Sequence, residues 1–142
     1  MAEFGVATKA IIYNTGSKKY LVLKKSDVEE INPDTFDMPG GRIDYGEKLE
    51  DAVAREVKEE TNLDIVAQQV FNAWTFVKKD KDFQLTGIDF LCTTTQGDVE
   101  LSEEHSEFEW RDAMEIFNDK KYPDWLRKTI EKAEKIRKIL LA

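Results

Sequence analysis

Apolar residues fall into runs along the chain, separated by short polar breaks. Phe4 to Tyr13 and Tyr20 to Leu23 are apolar and β-branched, with the turn cluster Asn14-Thr15-Gly16-Ser17 between them, so they predict a hairpin. Both runs are apolar on both faces, as strands covered from two sides are. Ser26 to Phe36 is polar and contains Asn32-Pro33-Asp34, a loop signal. Leu49 to Thr61 has helical periodicity and no Gly or Pro. Ile65 to Lys78 and Phe83 to Thr95, rich in Val, Phe, Trp and Thr, flank Lys79-Asp80-Lys81-Asp82 and predict a long second hairpin. Phe108 to Arg111 adds a short strand and Asp112 to Asn118 a short helix. Pro123 to Leu141 reads as a final helix, with Pro123 at its first position and Ile130, Ala133, Ile136 and Leu140 in one apolar stripe. The order strand, strand, helix, strand, strand, helix predicts an α/β fold, a mixed β-sheet between helices. No repeat, low-complexity tract or linker divides the chain, so residues 1–142 are expected to form one domain.

The charge balance, 21 basic against 29 acidic residues for a net of −8, argues against a duplex nucleic acid partner and against a polybasic membrane binder. A small phosphorylated ligand stays compatible, because a bound divalent cation reverses the local sign. Cys92 is the single cysteine, which excludes an internal disulfide and a Cys-rich zinc site. Its apolar run, Ile88 to Cys92, predicts a buried, inert thiol. No apolar stretch approaches the ~18 residues of a membrane span, and Met1-Ala2-Glu3-Phe4 lacks the regions of a secretory signal. A cytoplasmic protein is expected.

The helix from Leu49 breaks the usual rule for charged residues. At about 100° per residue, with Leu49 at zero, Ala52, Val53 and Val57 define a core-facing sector, and Glu56, Glu59 and Glu60 largely overlap it. Acids spaced i, i+3 and i+4 repel one another. They also lie near the helix C-terminus, where the macrodipole disfavours anions. Three carboxylates converging against these preferences call for a compensating cation, and oxygen ligands favour Mg²⁺, or Mn²⁺, over zinc. Arg55 sits beside Glu56, and Glu47 lies eight residues before it, within reach across the loop. This pair is either a surface ion pair or an orienting clamp. Pro39-Gly40-Gly41 reads as a turn in which a glycine carbonyl could face the cation.

The segment resembles the Nudix box, Gly-x5-Glu-x7-Arg-Glu-U-x-Glu-Glu-x-Gly-U with U a bulky aliphatic. Gly41, Glu47, Arg55, Glu56, Val57, Glu59, Glu60 and Leu63 match, and Asn62 stands in place of the last glycine. That position follows the helix and calls for a left-handed backbone, which Asn tolerates next best after Gly. With the box at residues 41–63 and a family-like order of elements around it, the resemblance implies the α/β/α Nudix sandwich. It further implies hydrolysis of a diphosphate linkage in a nucleoside diphosphate bound to some group X. Glu56, Glu59, Glu60 and the Gly40 carbonyl would hold Mg²⁺, or Mn²⁺. Arg55 and Glu47 would fix the geometry of these ligands, and Glu56 or a carboxylate outside the box would activate water.

Beyond the box, Lys25 matches a position where MutT-type members contact phosphate. Glu104 is the choice for an additional metal-binding or base glutamate, with Glu103 and Glu107 as rivals. His105, the only histidine, reads as loop structure, and Trp74, Phe76 and Phe90 read as core. Val77-Lys78-Lys79-Asp80 lacks the proline and tyrosine that mark ADP-ribose-type and diadenosine-polyphosphate-type members. The expected substrate is therefore a small nucleotide, a (deoxy)nucleoside triphosphate cleaved to monophosphate and pyrophosphate. The alternatives are another nucleoside diphosphate derivative (ADP-ribose, a nucleotide sugar, a dinucleotide polyphosphate or a capped RNA end) and a non-catalytic nucleotide-binding module. A monomer or homodimer is expected.

Overall fold

The computed structural model describes residues 1–27 and 34–141, so Asn32 and Pro33 of the expected loop lie outside it. Strands β1 (Glu3–Asn14), β2 (Lys19–Lys25), β3 (Phe36–Asp37) and β4 (Gly40–Arg42) precede helix α1 (Leu49–Thr61). Then follow β5 (Val66–Lys78), β6 (Phe83–Thr94), β7 (His105–Arg111), α2 (Ala113–Asn118) and α3 (Asp124–Leu140).

Both expected hairpins form. β1 and β2 pair antiparallel at Tyr13–Tyr20, and β5 and β6 pair antiparallel along most of their length, joined by a 3₁₀ turn at Lys79–Lys81. β1 and β6 run parallel from Glu3–Phe83 to Asn14–Thr94, so the sheet is mixed, in the order β3-β2-β1-β6-β5. β2 leaves β1 after the hairpin and pairs with β7 and with β3, while β4 takes the vacated edge of β1.

Each face of the sheet carries its own apolar layer. Ile11, Tyr13, Tyr20 and Val22 face Ile116 of α2 and Leu126, Ile130 and Ala133 of α3. Ile12, Leu21, Leu23 and Phe90 face Val53 and Val57 of α1. This is the expected layering of helices on both faces. Cys92 is buried with a thiol pushed up to about 12 by burial. Among the described residues no helix is long and apolar enough to cross a membrane.

Four details differ from the sequence reading. Pro39-Gly40-Gly41 is no free turn, because Gly40 and Gly41 belong to β4 and lie opposite Lys9 and Thr8 of β1. A Cβ at Gly40 would lie 2.1 Å from the Thr8 carbonyl oxygen, so only glycine permits this approach. His105 is no loop residue; it opens β7, which starts three residues earlier than the apolar pattern marked. Pro123 precedes α3 as its N-cap, with ψ at 156° still extended. The apolar stripe of α3 is buried at Ile130 and Ala133, but its packed layer reaches only Ile136, one turn short of the exposed Leu140.

Candidate active site and metal centre

Helix α1 spans Leu49–Thr61, as its periodicity dictates, and buries Ala52, Val53 and Val57. Glu50 and Asp51 in its first turn and Lys58 in its last suit the macrodipole. Asn62 ends the helix in the left-handed region, at φ 62° and ψ 14°. The last carbonyls of α1 take partners from the segment before β7: Glu100 N–H donates to Thr61 O at 3.0 Å and Ser102 N–H to Glu60 O at 3.2 Å. Those bonds bring Glu104 and His105 against Glu60.

Glu60 is 3% exposed, an extreme value for a carboxylic acid. Its Oε2 accepts from Gly40 N–H at 3.0 Å, and its Oε1 lies 3.7 Å from His105 Nδ1. One donor atom each of Glu60, Glu104 and His105 fall within 4.8 Å of one another. Burial first, then the nearby Glu104 and Glu56 carboxylates, push the Glu60 carboxyl up to about 10. The Glu56 carboxyl is also raised by burial, against the opposing pull of Arg55. Glu56 packs where a side chain at residue 41 would stand, since a Cβ on Gly41 would lie 2.6 Å from its carboxyl group. Glu59 is more exposed and turns toward Arg55 Nη1 at 3.3 Å.

Arg55 joins this cluster to the loop before the helix. Its Nε donates to Glu47 Oε2 at 2.7 Å and its Nη2 to Glu47 Oε1 at 3.0 Å, while Nη1 donates to Glu56 Oε1 at 3.0 Å. Asp44 Oδ2 lies 3.6 Å from Nη2. One guanidinium thus faces several carboxylates; one of them, Glu56, is disfavoured as an anion, and so is the nearby Glu60, which Arg55 does not reach. Buried carboxylates in this state, beside an imidazole nitrogen that has no hydrogen-bond partner among the described residues, fit a divalent cation. Of the rival glutamates, Glu104 adjoins Glu60, Glu107 lies 3.3 Å from Lys24 Nζ, and Glu103 is exposed.

A cavity of about 1000 Å³ opens beside the cluster, lined in part by Gly40 and Gly41 of β4. Lys25 connects the two, since it lines the cavity and lies opposite His105 in the β2–β7 register. Its ammonium is 3.6 Å from Asp37 Oδ2, and the other Asp37 oxygen accepts from Lys9. These two ammonium groups hold the buried Asp37 carboxyl below its ordinary range against the penalty of burial. Lys9 Nζ also lies 5.1 Å from the Trp125 ring and 5.9 Å from the Trp74 ring. At the floor, Asp89 accepts from Asn72 Nδ2 and from Trp74 Nε1, each at 2.9 Å. Thr8 Oγ1, also on this wall, is buried without a hydrogen-bond partner among the described residues.

Lys9, Asp37, Asp89 and Trp125 were not singled out by sequence. The available signal was a charge interrupting an apolar strand, at Lys9 in β1 and Asp89 in β6. Trp74 and Phe76 are not core residues, since β5 lies at the edge of the sheet and turns them into the cavity. Phe90 is buried as expected.

The sequence profile of the NUDIX domain matches residues 3–133. Nucleoside triphosphatase NudI of Escherichia fergusonii is 26% identical over 110 residues, covering 70% of this chain and 76% of that protein. The solved structure of a MutT protein from Methanosarcina mazei Go1 superimposes with a TM-score of 0.82 at 28% identity, covering 96% of this chain and 97% of its own. An Ap4A hydrolase from C. elegans, solved as a binary complex, shares the fold with a TM-score of 0.74 at 22% identity, covering 93% and 96% of the two chains.

Proposed function

The chain belongs to the NUDIX hydrolase family, and from that premise we propose that it cleaves (deoxy)nucleoside triphosphates to the monophosphate and pyrophosphate in a reaction that depends on Mg²⁺, or Mn²⁺. The observation that carries this reading is the cavity of about 1000 Å³ that reaches Gly40 and Gly41, the strand against which Glu56 and Glu60 converge. That volume suits one nucleotide. The likeness to NudI, named a nucleoside triphosphatase, and to the MutT protein supports the choice of triphosphate.

Glu56, Glu59 and Glu60, with the Gly40 carbonyl, would hold the cation, which when bound would supply charge neutralisation for phosphate oxygens and a lowered pKa for water. Arg55 fixes the Glu56 carboxylate and is itself fixed by Glu47. Glu104, the exposed carboxylate beside Glu60, takes the proton from the water. Lys25, between cavity and cluster, contacts the phosphate chain. The base enters between Trp74 and Trp125, where Asp89, Asn72 and Thr8 offer polar groups to its edge.

A hydrolysis panel tests this reading. It would hold the common nucleoside triphosphates, an oxidised purine triphosphate, ADP-ribose, a dinucleotide polyphosphate and a nucleotide sugar, each with Mg²⁺ and with EDTA. Monophosphate and pyrophosphate from triphosphates, abolished by EDTA, are the expected result. Cleavage of a non-triphosphate alone would replace the substrate, and no cleavage of any compound would favour a module that only binds nucleotides.

A further inference from the structure

We propose that His105 is a nitrogen ligand of the divalent-cation site, binding through Nδ1 beside Glu60 and Glu104. The inference rests on reading Glu60 as a metal-holding residue and adds a donor of different chemistry to it.

The His105 side chain is 4% exposed, as is that of Glu60. Its Nδ1 is buried and has no hydrogen-bond partner among the described residues. The nearest acid oxygen, Glu60 Oε1, is 3.7 Å away, beyond a hydrogen bond. The other Glu60 oxygen is already committed to Gly40 N–H. Oε1 and Nδ1 therefore lie side by side without a bond between them, at a separation two donors reach on one cation with bonds of about 2.1 Å. Glu104 closes the third side: one of its carboxylate oxygens, one of Glu60's and one His105 ring nitrogen lie within 4.8 Å of one another.

The backbone fixes this arrangement independently of any ion. His105 N–H donates to Ser102 O, Ser102 N–H to Glu60 O, and Ser26 N–H to Glu104 O, which ties the start of β7 to the end of α1 and to β2. Across β2–β7, His105 lies opposite Lys25, at a register irregularity between Lys24 and Lys25. The backbone that carries the imidazole is consequently held at the cluster by two other elements, α1 and β2.

A nitrogen donor changes which ion the site prefers. Mg²⁺ favours oxygen alone, whereas imidazole with carboxylates suits Mn²⁺, Co²⁺ or Zn²⁺. The site is accordingly expected to bind Mn²⁺ more tightly than Mg²⁺, by a margin that shrinks when His105 is replaced.

The chain contains one histidine, so any imidazole nitrogen coupled to a bound metal belongs to His105. Pulsed electron paramagnetic resonance of the full chain loaded with Mn²⁺ is expected to show ¹⁴N modulation from an imidazole, and His105→Asn to lose it. Mn²⁺ affinity of that variant should fall at least about tenfold. Should His105→Asn fail to fold, ¹⁵N-histidine resonances of the wild-type chain titrated with Zn²⁺ answer the same question, through a large shift at Nδ1. Stoichiometric Mn²⁺ binding without ¹⁴N modulation, or an unshifted Nδ1, would overturn the inference and leave the carboxylate site standing. Unchanged Mn²⁺ affinity in Glu60→Gln would instead overturn the reading on which it rests.

Discussion

Arg55 grips Glu47 with two hydrogen bonds from one edge of its guanidinium, Nε to Oε2 at 2.7 Å and Nη2 to Oε1 at 3.0 Å. This bidentate pair, helped by Asp44 N–H donating to Glu47 Oε1, holds the Glu47 carboxyl down at about 2. The remaining nitrogen, Nη1, is thereby aimed at Glu56. Lysine keeps the charge and cannot reproduce the fork. Arg55→Lys should lower kcat about 10- to 100-fold with little change in KM or melting temperature. Steady-state kinetics with a thermal melt check this, and an unchanged kcat would remove the clamp from the mechanism.

The buried acid cluster sets a pH dependence in the metal-free protein. A carboxyl raised from 4.5 to about 10 keeps in the folded state a proton that the unfolded chain releases, so stability falls as pH rises through that window. Glu47 and Asp37, both lowered, act oppositely, but below the ordinary carboxylate range. In EDTA, Glu60→Gln should therefore melt above the wild type by a margin that grows from about pH 6 to about pH 9. A margin independent of pH would show that Glu60 is not the group responsible.

Asn62 carries the backbone strain at the end of α1, with φ at 62°. Asn62→Ala should cost about 1 kcal/mol in chemical denaturation, since a Cβ-bearing residue without a local polar group resists this region. Asn62→Gly should be close to neutral, trading the strain against the bond from Asn62 Nδ2 to Glu100 Oε2. Activity should survive both changes.

Trp125 lines the cavity on α3 and is 44% exposed, so its removal disturbs little packing. Trp125→Ala should raise KM for a nucleoside triphosphate about tenfold, the scale of one lost base–aromatic stack, with kcat nearly unchanged. An unaltered KM would place the base elsewhere.

The parts of this molecule visible in its sequence are those governed by local period. α1, with its misplaced acids, its neighbour Arg55 and its Asn62 terminus, is specified within a few turns of chain. The two hairpins were equally plain, because their turn clusters separate runs of apolar residues. β3 and β4 were invisible, since two or three residues carry no period and are strands only because β2 and β1 offer them an edge. His105 looked like loop because the polar run from Ser102 to Glu107 hides a strand that β2 recruits. The cavity had no local signature either. It joins Lys9 of β1, Trp74 of β5, Asp89 of β6 and Trp125 of α3, residues brought together by the parallel pairing of β1 with β6 and by α3 packing over the sheet.

The most direct measurement is the turnover of a nucleoside triphosphate with saturating Mg²⁺ by Glu59→Gln and Glu60→Gln, each shown by circular dichroism to be folded. If the acids of α1 hold the cation, each variant should lose activity on the order of 100-fold, because the amide removes ligand charge without changing shape. Turnover near the wild-type rate in both variants would contradict the account.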